Sequence, residues 1–175
     1  PLPEAQMDRF MFKLIITYPN LQELNKIVEI TQITMDEVAE TVCSADELLE
    51  MRETAKNIPV ASEVMDYAMK LVMATHPDSE NAADVTKKYV RIGASPRAAQ
   101  GLITTAKVRA LVNGRFNVSY GDLNALAKPV LRHRMKPNFE AITEHVTTDD
   151  IIDVIIKELG HDSDTSSDKP SLLNN

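Results

Sequence analysis

Ser95-Pro96-Arg97 sets a permanent cation in the first turn of a helix, the end where a cation is least favoured. Ser95 suits the N-cap and Pro96 the first helical position, and the run that follows stops at Gly114. Backbone N–H groups and the helix dipole make such an end positive, so Arg97 is either a solvated side chain, destabilising by about 0.3 kcal/mol, or a group that faces something negative. Arg9 is the second arginine of interest. It lies in Pro3-Glu-Ala-Gln-Met-Asp8-Arg9-Phe10, where a local pairing with Glu4 or Asp8 on a short helix, about 0.3 kcal/mol, accounts for it without any function.

The remaining reactive residues form no site of their own. His76, His133, His145 and His161 are scattered, with no nucleophile and no carboxylate placed to orient them. His133 belongs to Leu131-Arg132-His133-Arg134 near a helix end, where cations suit the dipole, and that trio reads as structural or interfacial. Cys43 is the single cysteine; it cannot form an internal disulfide and reads as a small packing residue. No Cys/His spacing suggests zinc, and no metal site is expected. Gly-x-x-x-x-Gly-Lys-Ser/Thr, whose backbone amides and lysine would wrap a triphosphate, is missing from the sequence. Ile33-Thr-Met-Asp-Glu37 only superficially resembles a strand-borne magnesium site and reads as the polar start of a helix.

Charge sharpens the question about Arg97. The segment from Lys87 to Lys136 holds eleven basic residues and one acid, Asp122, a balance of +10. The whole chain is −7, so the remainder carries −17. Such asymmetry means two faces that attract each other or a basic surface that meets an external anion. An acidic total argues against a nucleic-acid binder, so a phosphate ligand or an acidic neighbouring subunit fits better.

The elements that must position these residues are mostly helical. The 175 residues are 43% hydrophobic and 5% aromatic, without Trp and with five glycines, which favours an all-α fold with one ordinary core. No apolar run reaches the ~18 residues of a membrane span, and a reducing, cytoplasmic setting is expected. Residues 1–10 read as a turn and short helix, and Phe12-Lys-Leu-Ile-Ile16 as a single strand or an extended connector. A lone strand needs partners, and the sequence opens at Pro1 without Met, so an excised piece of a longer protein is expected. Leu21, Leu24, Ile27, Val28 and Ile30 mark a helix, and the capping box Ser44-Ala-Asp-Glu47 opens another through Leu48, Leu49 and Met51. Val64 to Thr75 continue the pattern, 76–85 reads as loop, and Lys88 to Ile92 as extended. The helix from Pro96 is apolar most of the way round, and Gly101 below Arg97 permits a close approach there. Capping boxes at Ser119 and Thr147 open two more helices, the first with Pro129 as a kink or in its last turn, the second stopped by Gly160. Residues 161–175 read as a disordered tail.

Pro1-Leu-Pro-Glu-Ala-Gln-Met-Asp-Arg9-Phe10, Gly93-Ala-Ser-Pro-Arg97-Ala-Ala-Gln100 and Val130-Leu-Arg-His-Arg134, in this order, resemble three signatures of MoxR-type AAA+ ATPases. Met7 stands where that family usually has Leu. The resemblance implies a helical-bundle AAA+ lid domain with a short residual N-terminal strand from a missing α/β core. Residues 1–18 would be the end of that core and 19–160 the lid. It implies that Arg9 is an arginine finger acting in trans and Arg97 a sensor 2 arginine on the nucleotide phosphate. ATP and Mg2+ would be held by a core carrying Walker A and Walker B, without which the chain is inactive. Implied partners are that core, neighbouring protomers in a hexameric ring and von Willebrand factor A-domain proteins, in a chaperone-like role. The other class of function is a helical adaptor that binds an acidic protein partner through residues 87–136.

Overall fold

The computed structural model describes residues 2–33 and 40–160. The magnesium-like motif at 33–37 falls mostly outside the described residues, and the expected tail 161–175 lies wholly outside them. The elements are α1 (Glu4–Met7), α2 (Leu21–Ile33), α3 (Ala45–Lys56), α4 (Ser62–Met73), α5 (Asp84–Tyr89), β1 (Val90–Ile92), α6 (Pro96–Val112), α7 (Tyr120–Leu131), β2 (Lys136–Pro137), α8 (Phe139–Thr143) and α9 (Thr148–Glu158). The fold is therefore a helical one with a single small strand pair among the described residues. No helix there is long and apolar enough to cross a membrane.

The described residues fall into two compact units, 14–33 with 40–52 in one and 2–13 with 53–160 in the other. In the smaller unit α2 forms as its periodicity predicts. α3 starts on the expected capping box, with Ser44 Oγ accepting from the Glu47 N–H at 3.2 Å and the Ser44 N–H donating to Glu47 Oε2 at 2.7 Å. The apolar residues of both helices nevertheless stay open: Leu21, Ile27, Val28, Ile30, Leu48, Leu49 and Met51 are all exposed. Cys43, expected as a packing residue, is exposed too, because no buried residue lies near it in its own segment. Residues 12–20 join no ladder and form an extended connector rather than the residual strand.

The larger unit carries the core. α6 packs most extensively on α7 and also on α4, while α9 covers α7 and α5. Leu71, Leu102, Leu123, Leu131, Ile151, Ile152 and Ile155 are wholly buried between these helices. Capping explains where α7 and α9 start. Ser119 and Asp122 close a capping box on α7, and Thr147 and Asp150 close one on α9, each satisfying two otherwise unpaired backbone donors. α6 ends in a Schellman motif: Arg115 N–H donates to Ala110 O at 2.8 Å and Gly114 N–H to Leu111 O at 2.9 Å, with Gly114 at φ +69°. The stretch 84–89, read as loop and extended chain, is instead the one-and-a-half-turn helix α5. β1 follows it and pairs antiparallel with β2, Val90 opposite Pro137 and Ile92 opposite Lys136.

The start of α6 is fixed by the loop that follows α4. Thr75 Oγ1 accepts from the Ala94 N–H at 2.9 Å and donates to Val72 O at 2.6 Å. His76 Nε2 donates to Ala94 O at 2.8 Å. Gly93 is what lets these segments touch, since a Cβ there would lie 2.7 Å from Thr75 O and from His76 Cγ. Gly93→Ala is thus expected to destabilise the protein by about 1–3 kcal/mol, as overpacking against backbone does. A lowered midpoint in urea unfolding checks it.

Candidate functional site

The anion that Arg97 faces within the chain is Asp8. α1 ends one residue before it, and turn hydrogen bonds from Arg9 N–H to Gln6 O and from Phe10 N–H to Met7 O, both 3.1 Å, fold the chain back toward α6. Asp8 Oδ2 accepts from Arg97 Nη1 at 3.0 Å, and Asp8 Oδ1 accepts from Ser95 Oγ at 2.7 Å. Arg134 Nε stands 3.5 Å from the same Oδ1. Ser95 holds the N-cap backbone conformation expected of it, yet its hydroxyl turns outward to Asp8 instead of capping its own helix. α6 has no acidic residue in its first turn, so Asp8 supplies from outside the negative charge that this helix end favours. Burial raises the Asp8 pKa, but the bonds from Ser95 and Arg97 and the charge of Arg134 outweigh it and hold the carboxyl below its ordinary value.

The chain just after Asp8 is gripped by the last turn of α7. Pro129 falls in that turn, and its carbonyl, one of the four that a helix end leaves unpaired, accepts from the Lys13 N–H at 2.9 Å. His133 Nε2 donates to Phe10 O at 2.9 Å, and Arg134 Nη2 donates to the same oxygen at 2.6 Å. Arg134 Nη1 donates to Met11 O at 3.3 Å and also to Val130 O in the last turn of α7. Arg132 grips Asp149 with two parallel bonds, 2.9 and 2.8 Å, and donates to Lys13 O at 3.1 Å. Gly101 makes room for this arrangement, its position lying against Val130 and Met11. The Arg132-His133-Arg134 trio is therefore structural: two arginines and an imidazole just past the C-terminus of α7 clamp the backbone carbonyls of Phe10, Met11 and Lys13.

Burial lowers the His133 pKa, and the charges of Arg134 and Lys13 lower it further against the opposing pull of the Phe10 carbonyl and Asp8. His133 is thus neutral, with its proton on Nε2, because a carbonyl can only accept; buried Nδ1 has no hydrogen-bond partner.

Arg9 sits between Asp8 and the clamped Phe10, yet its side chain is exposed and makes no hydrogen bond or ion pair among the described residues. The pairing with Glu4 or Asp8 considered from sequence does not form; Glu4 lies instead 3.6 Å from Lys136. The two arginines picked out by sequence are therefore brought to one place, Arg97 paired with Asp8 and Arg9 next to it in the chain. Asp8, His133 and Arg134 were not seen as a unit, since residues more than 120 positions apart carry no local signal of contact.

The basic segment is largely answered from within. Lys87 pairs with Asp84, Lys88 with Glu140 and Glu144, Lys128 with Asp153, Arg132 with Asp149 and Lys136 with Glu4. Its one acid, Asp122, is buried and held by two bonds from Arg115 at 2.7 and 2.6 Å, with Arg109 at 3.4 Å. Of the two explanations for the asymmetry, faces that attract each other accounts for most of it.

Two measurements follow from the clamp. Arg134→Met leaves the Phe10 carbonyl with one donor fewer and Met11 O with none from Arg134, and is expected to destabilise the unit by about 3 kcal/mol with faster hydrogen exchange at the Lys13 amide. The lowered His133 pKa makes its contribution to stability complete above the ordinary imidazole value of 6.5 and lost as pH falls through the lower folded value. Asp8 behaves likewise from its ordinary 3.8 downward. Calorimetric Tm is expected to be flat above about pH 6.5, to fall in two stages on acidification, and to lose the first stage in His133→Gln.

Comparison with known proteins agrees with this architecture. Residues 82–155 match the AAA lid domain family. The chain is 34% identical over 157 residues to the chaperone MoxR1 of Mycobacterium tuberculosis, covering 90% of this chain and 41% of that protein. It is 30% identical over 155 residues to the uncharacterized protein YeaC of Bacillus subtilis, covering 87% of this chain and 45% of that one. The crystal structure of a candidate ATPase from Cytophaga hutchinsonii superposes with a TM-score of 0.81 at 33% identity, over 90% of this chain and 48% of that one. The chain thus spans less than half the length of the relatives it matches. On the lid-family match over residues 82–155, the chain carries an AAA lid domain, and over most of its length it is similar to the chaperone MoxR1.

Proposed function

We propose that the chain is the nucleotide-responsive lid and arginine-finger segment of an ATP-hydrolysing AAA+ ring with a chaperone-like role. One observation carries the proposal: Arg9, exposed and without a partner among the described residues, projects from a segment whose backbone is clamped at Phe10, Met11 and Lys13. A finger that reaches a neighbouring protomer has to be free at its tip and rigid at its base. Arg97, half exposed at the start of α6, remains available to a phosphate.

Each arginine then has a distinct task. Arg97 would contact the γ-phosphate bound by the same subunit, reporting whether triphosphate or diphosphate is present. Arg9 would enter the adjacent subunit's site in a hexamer and stabilise the charge that spreads over the transferring phosphoryl group. ATP is the substrate. Mg2+ would be held by ligands beyond the described residues, among which no group of three His, Cys, Asp or Glu side chains is gathered. Von Willebrand factor A-domain proteins are the proposed partners. The adaptor alternative finds less support, because most of the basic residues in 87–136 already face acids of this chain.

In the intact ATPase, Arg9→Ala is expected to lower kcat by about 10³-fold with ATP binding retained. Mixing Arg9→Ala subunits with subunits that carry Arg9 but cannot bind ATP should restore part of the turnover. No restoration on mixing would show that the arginine does not act in trans.

A further inference from the structure

Arg97 is not idle in this structure. Its Nη1 is engaged with Asp8 Oδ2 at 3.0 Å, so a phosphate that recruits Arg97 has to compete with a carboxylate already in place. The pair is unequal: the arginine side chain is 53% exposed while that of Asp8 is 19% exposed. Arg97 can swing away into open space. Asp8 cannot, because Ser95 Oγ holds its other oxygen at 2.7 Å and Arg134 stands beside it. Losing Arg97 would leave Asp8 with Ser95 and Arg134 alone, and a carboxylate that loses one of two neutralising charges is drawn harder toward the other. Arg134 is the residue that holds the Phe10 carbonyl, and Arg9 lies between Asp8 and Phe10.

Resting on the reading of Arg97 as the phosphate-contacting arginine, we propose that Asp8 is a positioning residue that links the two arginines. It is the resident counter-ion that Arg97 leaves when nucleotide phosphate arrives, and its own shift toward Arg134 resets the stretch that carries Arg9. One carboxylate thereby makes the subunit's own nucleotide state felt by the finger it offers to its neighbour. The coupling needs no long pathway, since Asp8, Ser95, Arg97 and Arg134 are in direct contact and Arg9 is adjacent in the chain.

Asp8→Asn in the intact ATPase tests this, because it keeps the shape and an acceptor for Ser95 while removing the charge. ATP affinity by calorimetry is expected to rise about two- to fivefold, the worth of a partly exposed ion pair that no longer competes. kcat is expected to fall, since Arg9 loses its link to the lid. In an Arg97→Ala background the affinity gain should vanish, whereas the loss in kcat should persist. Asp8→Glu, which restores the charge, is expected to return the affinity toward that of the wild type. A merely structural role for Asp8 predicts weaker binding of ATP, and unchanged or weaker binding in a folded Asp8→Asn protein overturns the proposal while leaving Arg97 as a phosphate ligand. If Asp8→Asn does not fold, Asp8→Glu with affinity weaker than wild type overturns it in the same way. Normal ATP binding and turnover in Arg97→Ala overturns the role of Arg97 itself, and this proposal with it.

Discussion

Burying a guanidinium is tolerable only when its charge is answered and most of its donors are bonded, and the larger unit is arranged around that constraint at Arg134. Arg134 Nη1 and Nη2 donate to carbonyls, while Nε faces Asp8 at 3.5 Å without a hydrogen bond. Its side chain is nearly inaccessible, and its partners are the carbonyls of Phe10, Met11 and Val130, with the Asp8 carboxylate close by. Of these partners only the Val130 carbonyl is close to Arg134 in sequence. The segment 8–13 supplies the rest by running across the end of α7. Once it lies there, His133 finds Phe10 O, Lys13 N–H finds the Pro129 carbonyl, and Asp8 comes within reach of α6.

Two helix ends of opposite sign meet at this place. The C-terminus of α7 favours cations and receives Arg132 and Arg134; the N-terminus of α6 favours an anion and receives Asp8. Between them, Arg97 is a cation set against the dipole of its own helix, and Asp8 compensates it. One carboxylate is thus shared by an exposed arginine, Arg97, and a buried one, Arg134. The clamped backbone in turn leaves Arg9 pointing outward from a rigid base.

Much of the fold was readable because its signals are local. The capping boxes at Ser44, Ser119 and Thr147, Pro96 at the start of α6 and Gly114 and Gly160 past the ends of α6 and α9 need only a few neighbouring residues to act. α5 escaped because six residues offer no periodicity, and its stability comes from packing on α8 and α9. The open faces of α2 and α3 show the limit from the other side: apolar spacing makes a helix but does not say what covers it.

The sequence by itself determined the helices, their ends, the uneven charge and the two arginines worth asking about, because propensity, capping and charge are properties of short stretches. Which anion answers Arg97, which carbonyls occupy Arg134 and whether the basic segment finds its acids inside or outside the chain were decided by the tertiary structure alone. Those pairings join residues up to 132 positions apart, as Glu4 and Lys136 are. They depend on distance and desolvation, which exist only once the chain has closed on itself.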